Sequence, residues 1–248
     1  MAQPSLQILS VLEKIVRYIE EAECAQSATR LKRALGISDS DFDEAAEWGC
    51  SKKHLKRAPG NVYSLLKSFN IPESAYYQVV LDSICSVWME DGYAPNEFAA
   101  RITAKDDSKI AGRWTRPDVT LVSHKKFSWT VGNEFDVVTF EVKRPDEINV
   151  IGVFEALSHV TAATKAYVVF PVNFSEWSER YPQQGARITD ECVRHGVGLL
   201  CIENLHLTKE PKIIVQAARK TIDYKRCSEF LDAVMPNDIK GVIAAWKS

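Results

Sequence analysis

Asp118, Glu141 and Lys143 are the residues whose types and spacing best suit a reaction. Asp118 follows Pro117 in the run Arg116–Ser123 (RPDVTLVS), and Glu141-Val142-Lys143 closes the run Val137–Lys143 (VVTFEVK). Both runs read as strands. Side chains alternate along a strand, so Thr139, Glu141 and Lys143 share one face while Val138, Phe140 and Val142 share the other. A hairpin with the polar turn Val131-Gly132-Asn133-Glu134 can bring Asp118 beside Glu141. Two carboxylates and a lysine at the end of an apolar sheet are costly unless the charges pair or hold a metal. Such oxygen ligands suit Mg²⁺ or Mn²⁺, which keep other positions for water and phosphate. The competing reading is a strand-edge acid and an exposed surface pair of little energetic weight.

The surrounding elements must deliver these three side chains to one place. A helix is expected from Glu73 to about Asp91, burying Tyr76, Val80, Ile84, Val87 and Trp88 and ended by Gly92. Phe98–Ala104 is a further candidate strand ahead of the two motif runs. After them come a helix from Glu147 to about Thr164, a strand over Ala166–Val172 and a helix over Pro182–His195. A buried strand over Val197–Ile202 and a C-terminal helix from about Lys225 to Trp246 follow. This order implies an α/β fold, a mixed central sheet flanked by helices.

The chain changes character near Asn70-Ile71-Pro72, where Pro72 disfavours helix before it and suits the first turn of a new one. Two domains are therefore expected, 1–70 and 71–248. In the first, Leu6–Ala22 carries Ile8, Leu9, Leu12, Ile15, Val16 and Ile19 on one helical face. Ser27 can cap a second helix that stops at Gly36. Ser38 or Asp39 can cap a third that stops at Gly49. His54–Arg57 and Val62–Leu65 flank Pro59-Gly60 as a hairpin. The segment from Ser51 to Lys67 holds Lys52, Lys53, Lys56 and Arg57 and no acid. It reads as a wing on nucleic acid, a docking surface, or a solvated face. The third helix carries Asp41, Asp43, Glu44 and Glu47, a poor face for phosphates.

Composition narrows the class. With 31 Lys and Arg against 33 Asp and Glu, the net charge of −2 excludes a globally basic nucleic-acid binder, though not a local basic surface. No apolar run approaches the ~20 residues that cross a bilayer, so no membrane partner is expected. The N-terminus lacks a basic segment ahead of an apolar core, so secretion is not expected and a cytoplasmic location is. The 6 cysteines include no CxxC pair and read as reduced thiols.

Asp118, Glu141 and Lys143 in this strand context resemble the PD-(D/E)XK motif of the restriction endonuclease-like nuclease superfamily. Pro117 supplies the literal proline, and the element order from Glu73 to Val172 is similar to that family's α-β-β-β-α-β core. The three helices and hairpin of residues 1–70 resemble a winged helix-turn-helix. The resemblance implies that Asp118, Glu141 and the Val142 carbonyl bind Mg²⁺ or Mn²⁺. It implies that Lys143 orients and helps deprotonate a water and offsets charge at phosphorus. Glu73, with Asp82 second, is the nearest match to a metal-contacting acid in the first core helix. Glu155 and His159, four apart on one helical face, match accessory positions in which Glu155 assists water and His159 contacts phosphate. A helix-surface pair is the alternative. Arg116 and Arg144 flank the motif; phosphate contact is one reading, and ordinary surface cations the better one. His124, His195 and His206 have no ligand-like spacing, and Trp129, Trp177 and Trp246 read as core or surface-anchoring residues. The implied function is a metal-dependent endonuclease of defence or restriction type, acting on DNA ahead of RNA and dimeric to cut both strands. The alternative is a catalytically inactive nuclease-fold protein that binds nucleic acid or regulates.

Overall fold

The computed structural model describes residues 4–104, 116–203 and 210–247. The chain forms two compact units, Met1–Ala75 and Tyr76–Ser248, dividing five residues beyond the sequence estimate of 70/71.

In the first unit, α1 (Leu6–Ala22) starts where Ser5 Oγ accepts from the Ile8 N–H, and its apolar stripe is buried. β1 (Gln26–Ser27) leads into α2 (Ala28–Leu35), which is capped by Ser27 and ended by Gly36. Ser38, not Asp39, caps α3 (Asp39–Ser51). Gly49 does not stop this helix as expected. A Cβ there would sit 2.6 Å from Leu12 Cδ1 and 3.1 Å from Leu55 Cδ1. The glycine instead lets α3 lie close against α1 and the strand that follows. β2 (Leu55–Ala58) and β3 (Val62–Leu65) form an antiparallel hairpin, and β1 pairs with the other edge of β3. The turn uses left-handed backbone at Gly60 and Asn61, residue types that tolerate it.

The second unit opens with α4 (Tyr77–Glu90), which buries Val80, Ile84 and Trp88, with Ser83 rather than Val87 facing inward. β4 (Phe98–Ile102), β5 (Val119–Lys126) and β6 (Asn133–Val142) form an antiparallel meander. The ladder absorbs Asn133 and Glu134, which the sequence assigned to the turn. The chain then crosses through α5 (Val150–Ser158) to β7 (Lys165–Phe170), parallel to β6. Next come α6 (Phe174–Arg180), which was not anticipated, and α7 (Pro182–His195). β8 (Gly198–Glu203) is parallel to β7, and an unanticipated β9 (Glu210–Val215) closes the sheet antiparallel. The expected long C-terminal helix is two, α8 (Tyr224–Val234) and α9 (Asn237–Ala245), because Pro236 interrupts it. Among the described residues the result is an α/β unit with a six-stranded mixed sheet in the order β4-β5-β6-β7-β8-β9. No described helix is long and apolar enough to cross a membrane.

The sheet carries one buried charge cluster away from the motif. Asp136 on β6 is 1% exposed. It accepts from Lys165 Nζ at 2.6 Å and Arg219 Nε at 2.7 Å. Burial alone would raise its pKa. The Lys165 hydrogen bond and charge, with Thr164 and Arg219, outweigh burial and hold it below the usual carboxylate range. A native pKa below the unfolded value of about 3.9 stabilises the fold above that value. The contribution is lost as pH falls from about 4 through the depressed native pKa. Thermal melts between pH 5 and pH 3 should therefore lose stability more steeply in the wild type than in Asp136→Asn. Equal slopes would show that Asp136 is not the group responsible.

Candidate active site

The β5 strand begins at Val119, so Pro117 and Asp118 stand at its entrance and not within it. Pro117 has no N–H for a ladder, which suits it to a strand's start. Its carbonyl instead accepts from Thr103 Oγ1 at 2.7 Å. Asp118 is fixed through its backbone: its N–H donates to the Phe140 carbonyl at 3.1 Å, and its own carbonyl accepts from Thr103 N–H at 2.7 Å. Its Oδ2 accepts from the Val142 N–H at 2.8 Å. That bond crosses directly to the Glu141–Lys143 segment. The aspartate is buried, 7% exposed.

Glu141 is the penultimate residue of β6, and Lys143 lies one residue past its end, where its N–H donates to the Val169 carbonyl at 3.0 Å. Lys143 Nζ lies 2.7 Å from Glu141 Oε1 and 2.5 Å from Glu155 Oε2. The lysine therefore clasps a carboxylate of the sheet to one of α5. The helix is set by Asn149, whose side chain accepts from the Ile151 N–H, so it begins later than the expected Glu147. Its interior holds Gly152. A Cβ there would lie 3.1 Å from Lys143 Cγ and 3.2 Å from Val168 Cγ2. Glu155 follows about one turn later, and His159 one turn after that, in a 3-10 turn (His159–Thr161).

These groups perturb one another. Burial first, then the charge of Asp118, pushes Glu141 up to about 8, against the pull of Lys143. Burial opposes the charge on Lys143, but Glu141 and then Glu155 override it and hold the ammonium above its ordinary range. Burial, reinforced by Lys143, drives His159 down to about 4. His159 is thus neutral at physiological pH, so its Nε2, 3.8 Å from Glu141 Oε2, forms no ion pair there. Among the described residues neither ring nitrogen has a hydrogen-bond partner. With its carboxyl pushed up to about 8, Glu141 is mostly protonated at neutral pH. A proton or a cation on Glu141 offsets the crowding of buried carboxylates around it.

Among the described residues no three His, Cys, Asp or Glu side chains form a metal-holding group. A closed cage of the zinc type is therefore not built from them. An Mg²⁺-type ion asks for less, one or two carboxylates plus water and phosphate. Asp118 and Glu141, whose mutual repulsion raises Glu141, fit that requirement.

Other expected residues fall elsewhere. Glu73 lies in a 3-10 turn (Glu73–Ala75) in the first unit, because the core helix begins only at Tyr77. Asp82 is on α4 and accepts from Gln78 on the same helix. Arg116 is not the surface cation expected: it is partly buried, and its Nε donates to the Thr103 carbonyl at 2.5 Å. Arg144 forks onto Asp146. Lys52 ends α3 and lies over the Trp48 ring, while Lys56 and Arg57 are exposed on β2, Arg57 bonding Asn61. Lys53, also exposed, adopts a left-handed backbone. His124 stacks on Trp246, His195 meets Glu191, and His206 lies outside the described residues. Gly152 was missed. The available signal was a glycine inside a helical pattern, a placement that costs stability unless close packing requires it.

Neither a protein-family model nor a curated protein sequence matches the chain.

Proposed function

We propose that the Tyr76–Ser248 unit is a metal-dependent nuclease hydrolysing phosphodiester bonds, with Asp118, Glu141 and Lys143 as its centre. The observation that carries this reading is the meeting of Asp118, at the entrance of β5, with Glu141, near the end of β6, where the Asp118 charge helps raise Glu141 and Lys143 bridges Glu141 to Glu155. The order α4-β4-β5-β6-α5-β7 supports likeness to the PD-(D/E)XK, restriction endonuclease-like core.

Asp118 and Glu141, with the Val142 carbonyl, would hold Mg²⁺ or Mn²⁺. When bound, the ion would act as Lewis acid on the scissile phosphate. Lys143 presents a charged ammonium to the incoming water and the phosphate oxygens. Kept protonated by two carboxylates, it serves as a donor and charge offset and not as a base. Glu155 is a positioning residue: it holds the lysine head while Gly152 leaves room for its stem. His159, buried and neutral, backs Glu141.

The test is digestion of plasmid DNA, single-stranded DNA and RNA in Mg²⁺ and in Mn²⁺, with EDTA controls. Metal-dependent cleavage that Lys143→Ala abolishes is the expected result. Cleavage that survives this substitution would overturn the assignment. Gly152→Val should cut the rate about 100-fold while leaving far-UV CD intact, because displacing a catalytic group by ~1 Å costs on that order. An unchanged rate would show that the glycine does not position Lys143.

One observation favours nucleic-acid binding by the first unit as well. Its order α1-β1-α2-α3-β2-β3 is similar to a winged helix-turn-helix, and Lys56 and Arg57 project from its hairpin. With no cleavage of any substrate, binding without catalysis becomes the reading to pursue.

A further inference from the structure

The β5–β6 hairpin ends in an unusual surface. Its tip presents Trp129 at 97% exposure, Val131 at 108% and Phe127 at 44%. Single exposed apolar residues are ordinary, but three within five positions on one projecting tip are not. The segment from Ser123 to Asn133 contains His124, Lys125 and Lys126 and no acid. An apolar, aromatic tip backed by cations suits a polyanion that also offers π faces.

The base of the tip is held in place. The ladder beneath it runs without interruption from Val119↔Phe140 to Lys126↔Asn133. Lys125 braces its base: Nζ donates to the Gly92 carbonyl at 2.9 Å and lies 4.2 Å from the centre of the Tyr93 ring. Lys126 is exposed beside Phe127. A rigid aromatic loses little conformational freedom on stacking, which favours its use as an anchor.

We propose that the Phe127–Gly132 tip is a stacking platform for unpaired bases, so that this protein's substrate class is single-stranded or locally melted nucleic acid. The choice of a nucleic acid as partner rests on the nuclease reading; the platform's geometry does not. Trp129 stacks on a base, and Lys126 meets a neighbouring phosphate, the pairing by which sequence-tolerant single-strand binders work. Asp118 stands at one end of β5 and the tip beyond the other. Eight strand residues at ~3.4 Å each separate them by roughly 27 Å. That span corresponds to about eight nucleotides at ~3.4 Å per nucleotide of a stacked strand. The tip thus grips the strand well away from the cut.

Binding of fluorescein-labelled oligo-dT by the full-length protein, followed by anisotropy in EDTA, tests this without requiring hydrolysis. Trp129→Ala should weaken binding about 5- to 150-fold, the range for losing one base–aromatic stack, and Trp129→Phe should restore most of it. Lys126→Ala should lower the salt slope by about 0.7. Fully paired blunt duplex should bind equally to wild type and Trp129→Ala. Oligo-dT affinity unchanged in Trp129→Ala, or no oligo-dT binding by wild type, would overturn the proposal. So would a Trp129-dependent association with phosphatidylserine vesicles alongside unaltered DNA binding, which would identify a membrane surface instead. Trp129-dependent binding without cleavage in Mg²⁺ or Mn²⁺ would support the platform while removing the nuclease reading.

Discussion

Asp118→Asn is expected to lower metal-dependent cleavage by at least about 10²–10³-fold, the scale for removing one electrostatic group from a preorganised site, while leaving the fold as stable or more so. The side chain accepts a hydrogen bond from the Val142 N–H, and an asparagine oxygen can still accept it. What disappears is the charge that, after burial, does most to raise Glu141. Relief of ~1 kcal/mol of repulsion would raise Tm by about 2–4 °C for a domain of this size. A residue kept for structure would show the opposite pattern, losing stability together with activity. Paired single-turnover cleavage and calorimetry on the same preparation decide it. A drop in Tm with cleavage intact would sink the catalytic assignment. Stability exchanged for function is the common signature of an active-site charge.

The largest effect on stability is expected from Gly198→Ala. Gly198 faces Tyr167 across the β7–β8 ladder, and a Cβ there would fall 2.1 Å from Tyr167 Cδ1 and 2.2 Å from Cε1. The ring cannot swing aside. It is 2% exposed and stacked on Phe140 with centroids 5.5 Å apart, and its hydroxyl accepts from the Ala217 N–H. Overpacking of this kind costs about 3 kcal/mol or more, a fall in Tm of roughly 6–12 °C. The double variant with Tyr167→Leu should be much less destabilised than the sum of the two single changes, since the clash needs both partners. Additive losses would show that the strain lies elsewhere. Phe140 precedes Glu141, so the disturbance should also reach the Glu141 end of β6.

Much of the candidate site was legible because strand alternation is rigid. Once Val137–Val142 is extended, Glu141 and Lys143 share a face, and the lysine stem meets whatever the following helix presents. Spacing also put Glu155 and His159 on one side of that helix, and both reach the cluster. What spacing could not supply was the direction of approach. The clasp of Lys143 by Glu155 depends on how closely α5 packs, and that distance is set by Gly152, a residue with no chemistry of its own. The misplacement of Glu73 has a comparable cause. Pro72 signals a helical start, but the chain spends three residues in a 3-10 turn before the α-helix begins. The acidic α3 and the buried Asp136 cluster show the limit of charge reading. Asp136 sits in an ordinary strand pattern, and its partners Lys165 and Arg219 lie 29 and 83 residues away. The C-terminal break needed only Pro236 to be given its ordinary weight.

The mixed connectivity of the sheet bears on the order in which the centre assembles. β5 and β6 are joined directly by the six-residue Phe127–Gly132 connection, whereas β6 reaches its parallel neighbour β7 only after the α5 crossover. Closing a short loop costs less chain entropy than closing a long one. Asp118 and Glu141 are therefore expected to meet early during folding, and the Lys143–Glu155 clasp to close late. Substitutions in the hairpin, such as Val122→Ala, should mainly slow refolding, while those at Gly152 should mainly speed unfolding. The nascent hairpin would then carry two acids before their lysine has its second partner, so a divalent cation present during refolding would act on the folding rate as well as on the finished protein.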